Sequence, residues 1–131
     1  MKTLCCRLHR GDDLLLSLQK LAQENNIDAA VILCAVGCVS RTRLRDASGV
    51  TVREIHEPCE IVSVTGTVSA QRCHIHISLS REDLTTLGGH LREGCIVNTT
   101  CELVLGILDS WRFDVEQDAL TGYDEIVFQE V

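Results

Sequence analysis

The stretch "QRCHIHISLS", residues 71–80, shows most directly how this chain folds. Its apolar and polar residues alternate with a period of two, which is the pattern of a β-strand with one buried face. Four residues share the apolar face and should pack into the core: Cys73, Ile75, Ile77 and Leu79. His74 and His76 project together from the other face. The stretch therefore predicts a half-buried strand that carries two histidines side by side.

Outward from this strand, one segment has a helical pattern and most others have strand patterns. In "GDDLLLSLQKLAQENN" (residues 11–26) leucines recur at helical spacing, and Asp12 and Asp13 stand where carboxylates cap a helix. The β-rich runs are "KTLCCRLH" (2–9), "AAVILCAVG" (29–37, ending at Gly37), "CVSRTRLRDA" (38–47), "SGVTVREIH" (48–56), "CEIVSVTGTVSA" (59–70), "GCIVNTTCELVLGIL" (94–108) and "GYDEIVFQEV" (122–131). We interpret "REDLTTLGGH" (81–90) as a loop. One early helix among sequential strands predicts a single α+β domain over residues 1–131, with mostly antiparallel pairing.

Composition and charge narrow the function classes. The chain has 131 residues, 45% of them hydrophobic and 24% charged, which is ordinary for one folded domain. Its net charge of −7 counts against DNA binding by this chain alone, because phosphate binding needs basic residues. The local exception is Arg41, Arg43 and Arg45, which alternate along a strand. They would form either a nucleic-acid-binding strip or a solvated strand face.

The eight cysteines favour thiols over disulfides or a zinc cluster. There is no C-x-x-C motif, and most cysteines lie inside strand-like runs, where a cysteine acts as a small hydrophobe. Arg7 and Arg10 interrupt the N-terminal segment, so it lacks the apolar run of a signal peptide, and no apolar run approaches the length of a membrane helix. We expect a cytoplasmic protein that does not insert into membranes.

Three histidines form the candidate site. On a strand, His74 and His76 have Cα atoms about 6.5–7 Å apart, so both rings can lean towards one ion. His90 follows Gly88 and Gly89, which would allow a close backbone approach or a positive φ and bring His90 back beside the strand. Three neutral imidazoles with an open fourth position suit a divalent metal, zinc foremost. The alternative is that these histidines are polar residues on a wet strand face.

Glu102 is a second anomaly, because it is a lone carboxylate in an apolar strand. Such a carboxylate either lies at a sheet edge or has a partner. The partner would be an arginine or, in the more specific interpretation, a metal-bound histidine that Glu102 orients.

The chain has none of the common catalytic motifs. It lacks G-x-S-x-G, a P-loop, G-x-G-x-x-G and H-E-x-x-H, and Cys73 and His74 point apart on a strand. We therefore assign no catalytic residue and favour a binding module over an enzyme. A metal ion with an open position could still activate water, which keeps a hydrolase-like enzyme as an alternative.

In sequence order, several motifs resemble the PPC domain family over essentially the whole chain. They are the segment from "RGDDLLLSLQKLAQENN" to "RTRLR", then "EIVSVTGTVS", "CHIHISLS", "LGGHLREGCIVNTTCELVL" and "TGYDEIVF". The resemblance implies a compact α+β domain that assembles as a homotrimer. It also implies that residues matching His74, His76 and His90 can hold a divalent metal.

The resemblance also bears on DNA. Plant members are fused to AT-hook motifs that bind DNA, and stand-alone relatives are commonly described as candidate DNA-binding proteins. This chain lacks the Arg-Gly-Arg-Pro core of an AT-hook, since its only proline is Pro58. We therefore expect a non-enzymatic, homotrimeric regulatory module that acts with DNA or DNA-associated proteins. A direct DNA-binding regulator that uses Arg41, Arg43 and Arg45 is the other alternative.

Overall fold

The computed structural model describes residues 1–131 and contains one helix and nine strands. The elements are β1 (Lys2–His9), α1 (Leu14–Glu24), β2 (Ala30–Arg45), β3 (Val52–Ile55), β4 (Cys59–Val68), β5 (Cys73–Ser80), β6 (Thr86–Leu91), β7 (Ile96–Ile107), β8 (Trp111–Gln117) and β9 (Asp124–Glu130). All of the strand pairings are antiparallel. The α+β prediction with mostly antiparallel strands is confirmed.

Helix α1 lies where the leucine spacing predicts it. Asp13 is the N-cap, and its carboxylate accepts a hydrogen bond from the backbone N–H of Leu16 at 3.0 Å. The same carboxylate accepts the N–H of Gly94 at 2.6 Å, which ties the helix start to the segment before β7. Leu14, Leu18 and Ala22 are fully buried, so the helix covers the core with one face.

Strand β2 is longer than the sequence predicts. The two runs on either side of Gly37 form one strand of 16 residues, so the prediction that a strand ends at Gly37 is wrong. A Cβ at Gly37 would lie only 2.1 Å from the carbonyl oxygen of Thr100 on β7. This glycine therefore permits close approach of two strands and does not end one.

The sheet bends back on itself around β2. Its strand order is β1-β7-β2-β4-β5-β6, and β6 also pairs with the end of β2, through Leu44 with Leu91 and Arg45 with His90. Strands β2, β4, β5 and β6 thus form a closed path. Strand β3 pairs with β2, whereas β8 and β9 form a separate two-stranded sheet. The closure brings the ends of β2, β5 and β6 together.

The core lies between α1 and the inner faces of the strands. Ile75, Ile77 and Leu79 of β5 are all buried, as the alternation in that strand predicts. All eight cysteines are free. No helix has both the length and the apolar character that a bilayer crossing requires.

Candidate metal centre

Strand β5 presents two histidines on the face opposite the core. His74 is half-buried and His76 is exposed, while their neighbours Ile75 and Ile77 are buried. The strand pairs with β4, where Thr67 lies opposite His74 and Thr65 lies opposite His76. The prediction that both imidazoles leave the strand on one side is confirmed.

The third histidine reaches the same place on a strand of its own. His90 lies directly opposite His76 in the β5–β6 pairing and opposite Arg45 in the β2–β6 pairing. The interpretation of residues 81–90 as a loop is therefore wrong for residues 86–90, which belong to β6. Those residues form a strand because two neighbouring strands supply their hydrogen-bond partners, and a local pattern does not show this.

Of the two roles predicted for Gly88 and Gly89, the structure shows close backbone approach. A Cβ at Gly88 would lie 2.4 Å from the carbonyl oxygen of Ile77, and one at Gly89 would lie 2.8 Å from that of Arg45. Neither glycine has a positive φ. Their role is to let β6 lie tightly against β5 and β2, which sets the position of His90.

The three imidazole rings converge. Their centroids are 5.0 Å apart for His74 and His76, 5.2 Å for His74 and His90, and 5.5 Å for His76 and His90. One ligand nitrogen from each ring lies within 4.8 Å of the other two. Tetrahedral zinc holds its nitrogen ligands about 3.3 Å apart, so modest side-chain rotations would close this set around one ion.

The protonation of the cluster also suits a metal. Burial, followed by the charge of Arg72, lowers the pKa of His74 below its ordinary value. Burial, followed by the charge of Arg45, lowers the pKa of His90 to about 4. Both rings are therefore neutral near pH 7, which is the state in which imidazole binds metals.

Two arginines border the rings. The Arg45 Nη2 lies 3.5 Å from Nδ1 of His90, and the Arg72 Nη2 lies 3.4 Å from Nδ1 of His74. The Arg45 guanidinium also sits over the Tyr123 ring, 5.8 Å from its centroid. Sequence reasoning did not assign Arg72 to the site, although it precedes His74 by two residues and so shares its strand face.

A hollow of about 390 Å³ opens beside the cluster. His76, His90 and Arg45 line it, together with Gly88 and Gly89. Binding pockets for small molecules begin at about 300 Å³, so this hollow has the size for a small ligand.

The other predicted site residues lie elsewhere or are already paired. Glu102 is exposed on β7, opposite Arg7 of β1 and Val36 of β2, and it does not line the hollow. Arg41 and Arg43 both contact Glu54 at 3.5 Å. Of the arginine strip, only Arg45 reaches the histidines, because β2 pairs with β6 at that end.

Together these features define a class of protein: a small antiparallel α+β domain that gathers three histidines from two adjacent strands. The sequence profile of the Plants and Prokaryotes Conserved (PCC) domain matches residues 1–109, and the chain belongs to that family. The resemblance to the PPC domain, another name for this family, is thereby confirmed.

Solved structures agree with this assignment. A hypothetical protein from Salmonella matches at a TM-score of 0.94 with 31% identity, covering 98% of this chain and 94% of that one. A metal-containing protein from Archaeoglobus fulgidus matches at 0.80 with 30% identity, covering 97% and 94%. A candidate DNA-binding protein from Bacteroides thetaiotaomicron matches at 0.86 with 23% identity, covering 96% and 91%, and this likeness concerns the fold alone.

Curated relatives are much longer proteins. The bifunctional protein GlmU of two Synechococcus strains is 36% and 34% identical to this chain over 125 residues. The match covers 95% of this chain but 20% of each relative. The chain therefore spans about a fifth of the length of these curated relatives.

Proposed function

We propose that this protein is a metal-binding module that holds one divalent transition-metal ion, zinc foremost, on His74, His76 and His90. The observation that carries the proposal is the convergence of three imidazoles whose ligand nitrogens lie within 4.8 Å of one another. The 30% identical relative from Archaeoglobus fulgidus is described as metal-containing, which supports the same conclusion.

Within this site each element has a distinct task. Strand β5 supplies two ligands and β6 supplies the third, while Gly88 lets β6 approach β5 and Gly89 lets it approach β2. A bound metal would act as a Lewis acid at its fourth position, and His76 and His90 line a hollow that could admit the ligand. We propose that this position binds a ligand and that the module is regulatory and not catalytic.

A metal-dependent, hydrolase-like enzyme is the second candidate, because a hollow with room for a small substrate lies beside His76 and His90. In such an enzyme a general base near the ion would assist proton removal from the metal-activated water. The Asp46 carboxylate lines the hollow, but it accepts hydrogen bonds from Ser48 and then Arg53, which lower its pKa. These contacts make Asp46 a weak base and favour the binding role.

Metal analysis tests the proposal directly. Protein purified without chelator should contain about one metal ion per chain by elemental analysis, in keeping with a single three-histidine site. The triple variant His74→Ala, His76→Ala, His90→Ala should contain none. His56→Ala is the matched control, because His56 contacts Glu54 and lies outside the cluster. A wild-type protein that takes up no stoichiometric metal from supplemented medium would refute both the metal module and the metal-dependent enzyme.

We further propose that three copies associate as a homotrimer, as expected for this family. Support comes from large apolar side chains exposed on adjacent strands: Leu33 and Val36 on β2 and Val62 on β4 are 49%, 53% and 59% exposed. A trimer that covers them would remove apolar surface from water. Light scattering coupled to size-exclusion chromatography should give three times the chain mass of 14.5 kDa. A Val36→Glu variant should lower that mass, and a monomeric wild-type protein would contradict the proposal.

For DNA, we propose association through partner proteins and not through direct contact. Glu54 already pairs with Arg41 and Arg43, and the net charge is −7. Direct binding through these arginines would produce a duplex complex at low salt that weakens steeply as salt rises. A mobility-shift assay with wild type and the Arg41→Ala, Arg43→Ala variant tests this, and a salt-sensitive shift lost in the variant would overturn our preference. We also propose a cytoplasmic location, which cell fractionation would test.

A further inference from the structure

Arg45 and Arg72 place positive charge where a cation is proposed to bind. Each guanidinium contacts Nδ1 of one ligand histidine, at 3.5 Å for His90 and 3.4 Å for His74. A metal ion and a guanidinium repel each other, so two arginines beside a bare cation site would weaken it. Metal binding alone therefore does not explain why Arg45 and Arg72 lie beside the histidines.

Neither arginine has a carboxylate partner of its own. The ion pairs of this protein engage Arg41, Arg43, Arg53, Arg81 and Arg112. The Nε of Arg45 and the Nη1 of Arg72 are buried without a hydrogen-bond acceptor from the protein. A buried donor without an acceptor is costly, so each of these two guanidinium groups retains an unused hydrogen-bond donor.

Metal binding through Nε2 of His74 and His90 would free further donors of these arginines. A guanidinium only donates, so its contact with Nδ1 requires that Nδ1 carry no proton. When the other ring nitrogen, Nε2, binds a metal, the proton of the neutral imidazole lies on Nδ1. His74 and His90 would then present donors to Arg72 and Arg45, and the two arginines would lose their acceptors.

The hollow offers a place for a new acceptor. Arg45, His76 and His90 all line it, and Tyr123 packs against the Arg45 guanidinium. Tyr123 donates its hydroxyl hydrogen bond to the carbonyl oxygen of Gly49 at 3.4 Å, which fixes the ring beside Arg45. An oxyanion in this hollow would lie beside Arg45 and beside two of the three proposed metal ligands, and arginine binds such anions through paired donors.

We infer that the site binds its metal together with a small oxyanion of the carboxylate or phosphate class, with one oxygen on the metal and another on Arg45, and with Arg72 contributing charge from beside His74. This inference rests on the proposed metal site. It makes the module a sensor of a small acidic metabolite whose affinity depends on the metal.

The test uses chain reconstituted with Co²⁺, whose visible absorption reports its ligand set. Acetate and inorganic phosphate are titrated separately into wild type, Arg45→Gln and Arg72→Gln, with Arg41→Gln as the matched control, since Arg41 lies on the same strand and pairs with Glu54. Thermal unfolding verifies that each variant is folded. The effect of each anion on Co²⁺ affinity is measured by competition with a chelating dye.

We expect at least one anion to change the spectrum and to tighten Co²⁺ binding by about tenfold, because a shared anion–metal contact couples the two ligands and such coupling is commonly about 5–150-fold. Arg41→Gln should behave as wild type, and Arg45→Gln should keep one Co²⁺ per chain but lose the anion effect. Arg72→Gln should reduce the effect and serves as the second variant. The two titrations identify whether carboxylate or phosphate is preferred.

Two outcomes separate the failures. Stoichiometric Co²⁺ binding without any anion effect, or with an effect that Arg45→Gln retains in full, overturns the oxyanion inference and leaves the metal module standing. Failure of wild type to bind Co²⁺ overturns the metal module and the inference together.

Discussion

Replacing Gly88 with alanine tests whether the tight β5–β6 contact positions the metal site. In an unobstructed strand, Gly→Ala stabilises a protein by about 0.5–1 kcal/mol, because alanine restricts the unfolded chain. At Gly88 the new Cβ would lie 2.4 Å from the Ile77 carbonyl oxygen, about 1 Å short of ordinary contact at 3.4 Å. The obstructing atom belongs to the backbone, so β6 must move as a unit.

The size of the effect follows from this overlap. Overpacking costs about 1–3 kcal/mol, and the restricted unfolded chain offsets about 0.5–1 kcal/mol of this. We therefore expect the free energy of unfolding to fall by about 1 kcal/mol, and by no more than about 2.5 kcal/mol. His90 lies two residues along the same strand and should move with it. We expect zinc affinity to fall by about 10–100-fold, the range for losing groups that orient metal ligands.

The assay is urea unfolding of metal-free protein followed by circular dichroism, with zinc affinity measured by dye competition. Thr86→Ala is the control, because Thr86 is exposed on the same strand and should change stability by no more than about 0.5 kcal/mol. A Gly88→Ala protein that is more stable than wild type, or that binds zinc with unchanged affinity, would refute the reasoning.

Three further predictions concern stability. The pKa of His90 is about 4 in the folded protein and about 6.5 in the unfolded chain. Between these pH values the unfolded chain binds a proton that the folded protein does not. Metal-free protein should therefore lose stability as the pH falls from about 6.5 to about 4. His90→Asn should lose less over that range in urea titrations at each pH, and an equal loss would contradict the pKa assignment. Asp13→Ala should cost about 1–2 kcal/mol, because it removes the helix N-cap and the acceptor of the Gly94 N–H. Glu82→Ala, which removes an exposed carboxylate in a turn, is its comparison and should cost no more than about 0.5 kcal/mol. Leu18→Ala should cost about 2–5 kcal/mol by urea unfolding, because Leu18 is fully buried, whereas the 46% exposed Leu16 should tolerate the same change.

The spacing of apolar and polar residues predicted the elements that have one apolar and one polar face. The leucine spacing located α1, and the alternation in "KTLCCRLH" gave β1 with the same bounds as the structure, Lys2–His9. Strand β5 was predicted together with the direction of its two histidines. In each of these segments one face is apolar and the other polar, so the sequence itself records which side is buried.

Elements that depend on distant partners were not predicted. Gly37 resembles a strand end because glycine weakens strands, yet β7 approaches it so closely that only glycine fits. The segment Thr86–Leu91 contains two adjacent glycines and little alternation, so it resembles a loop. It is a strand because β5 and β2 flank it. The β5 residues that pair with it lie about ten positions earlier in the sequence, and those of β2 lie about forty-five positions earlier, so a local pattern does not show the pairing.

The closure of β2 onto β6 explains why the candidate site contains both histidines and arginines. Arg45 was predicted as part of a strip with Arg41 and Arg43, and all three do leave β2 on the same side. Strand β3 supplies Glu54 to the first two, whereas β6 supplies His90 to the third, so one alternating motif is divided between two environments. Because the same β2–β6 pairing positions His90 and Arg45, any change that opens it should weaken metal and oxyanion binding together. A variant that loses oxyanion binding but keeps metal binding must therefore act through the Arg45 side chain and not through the β2–β6 pairing.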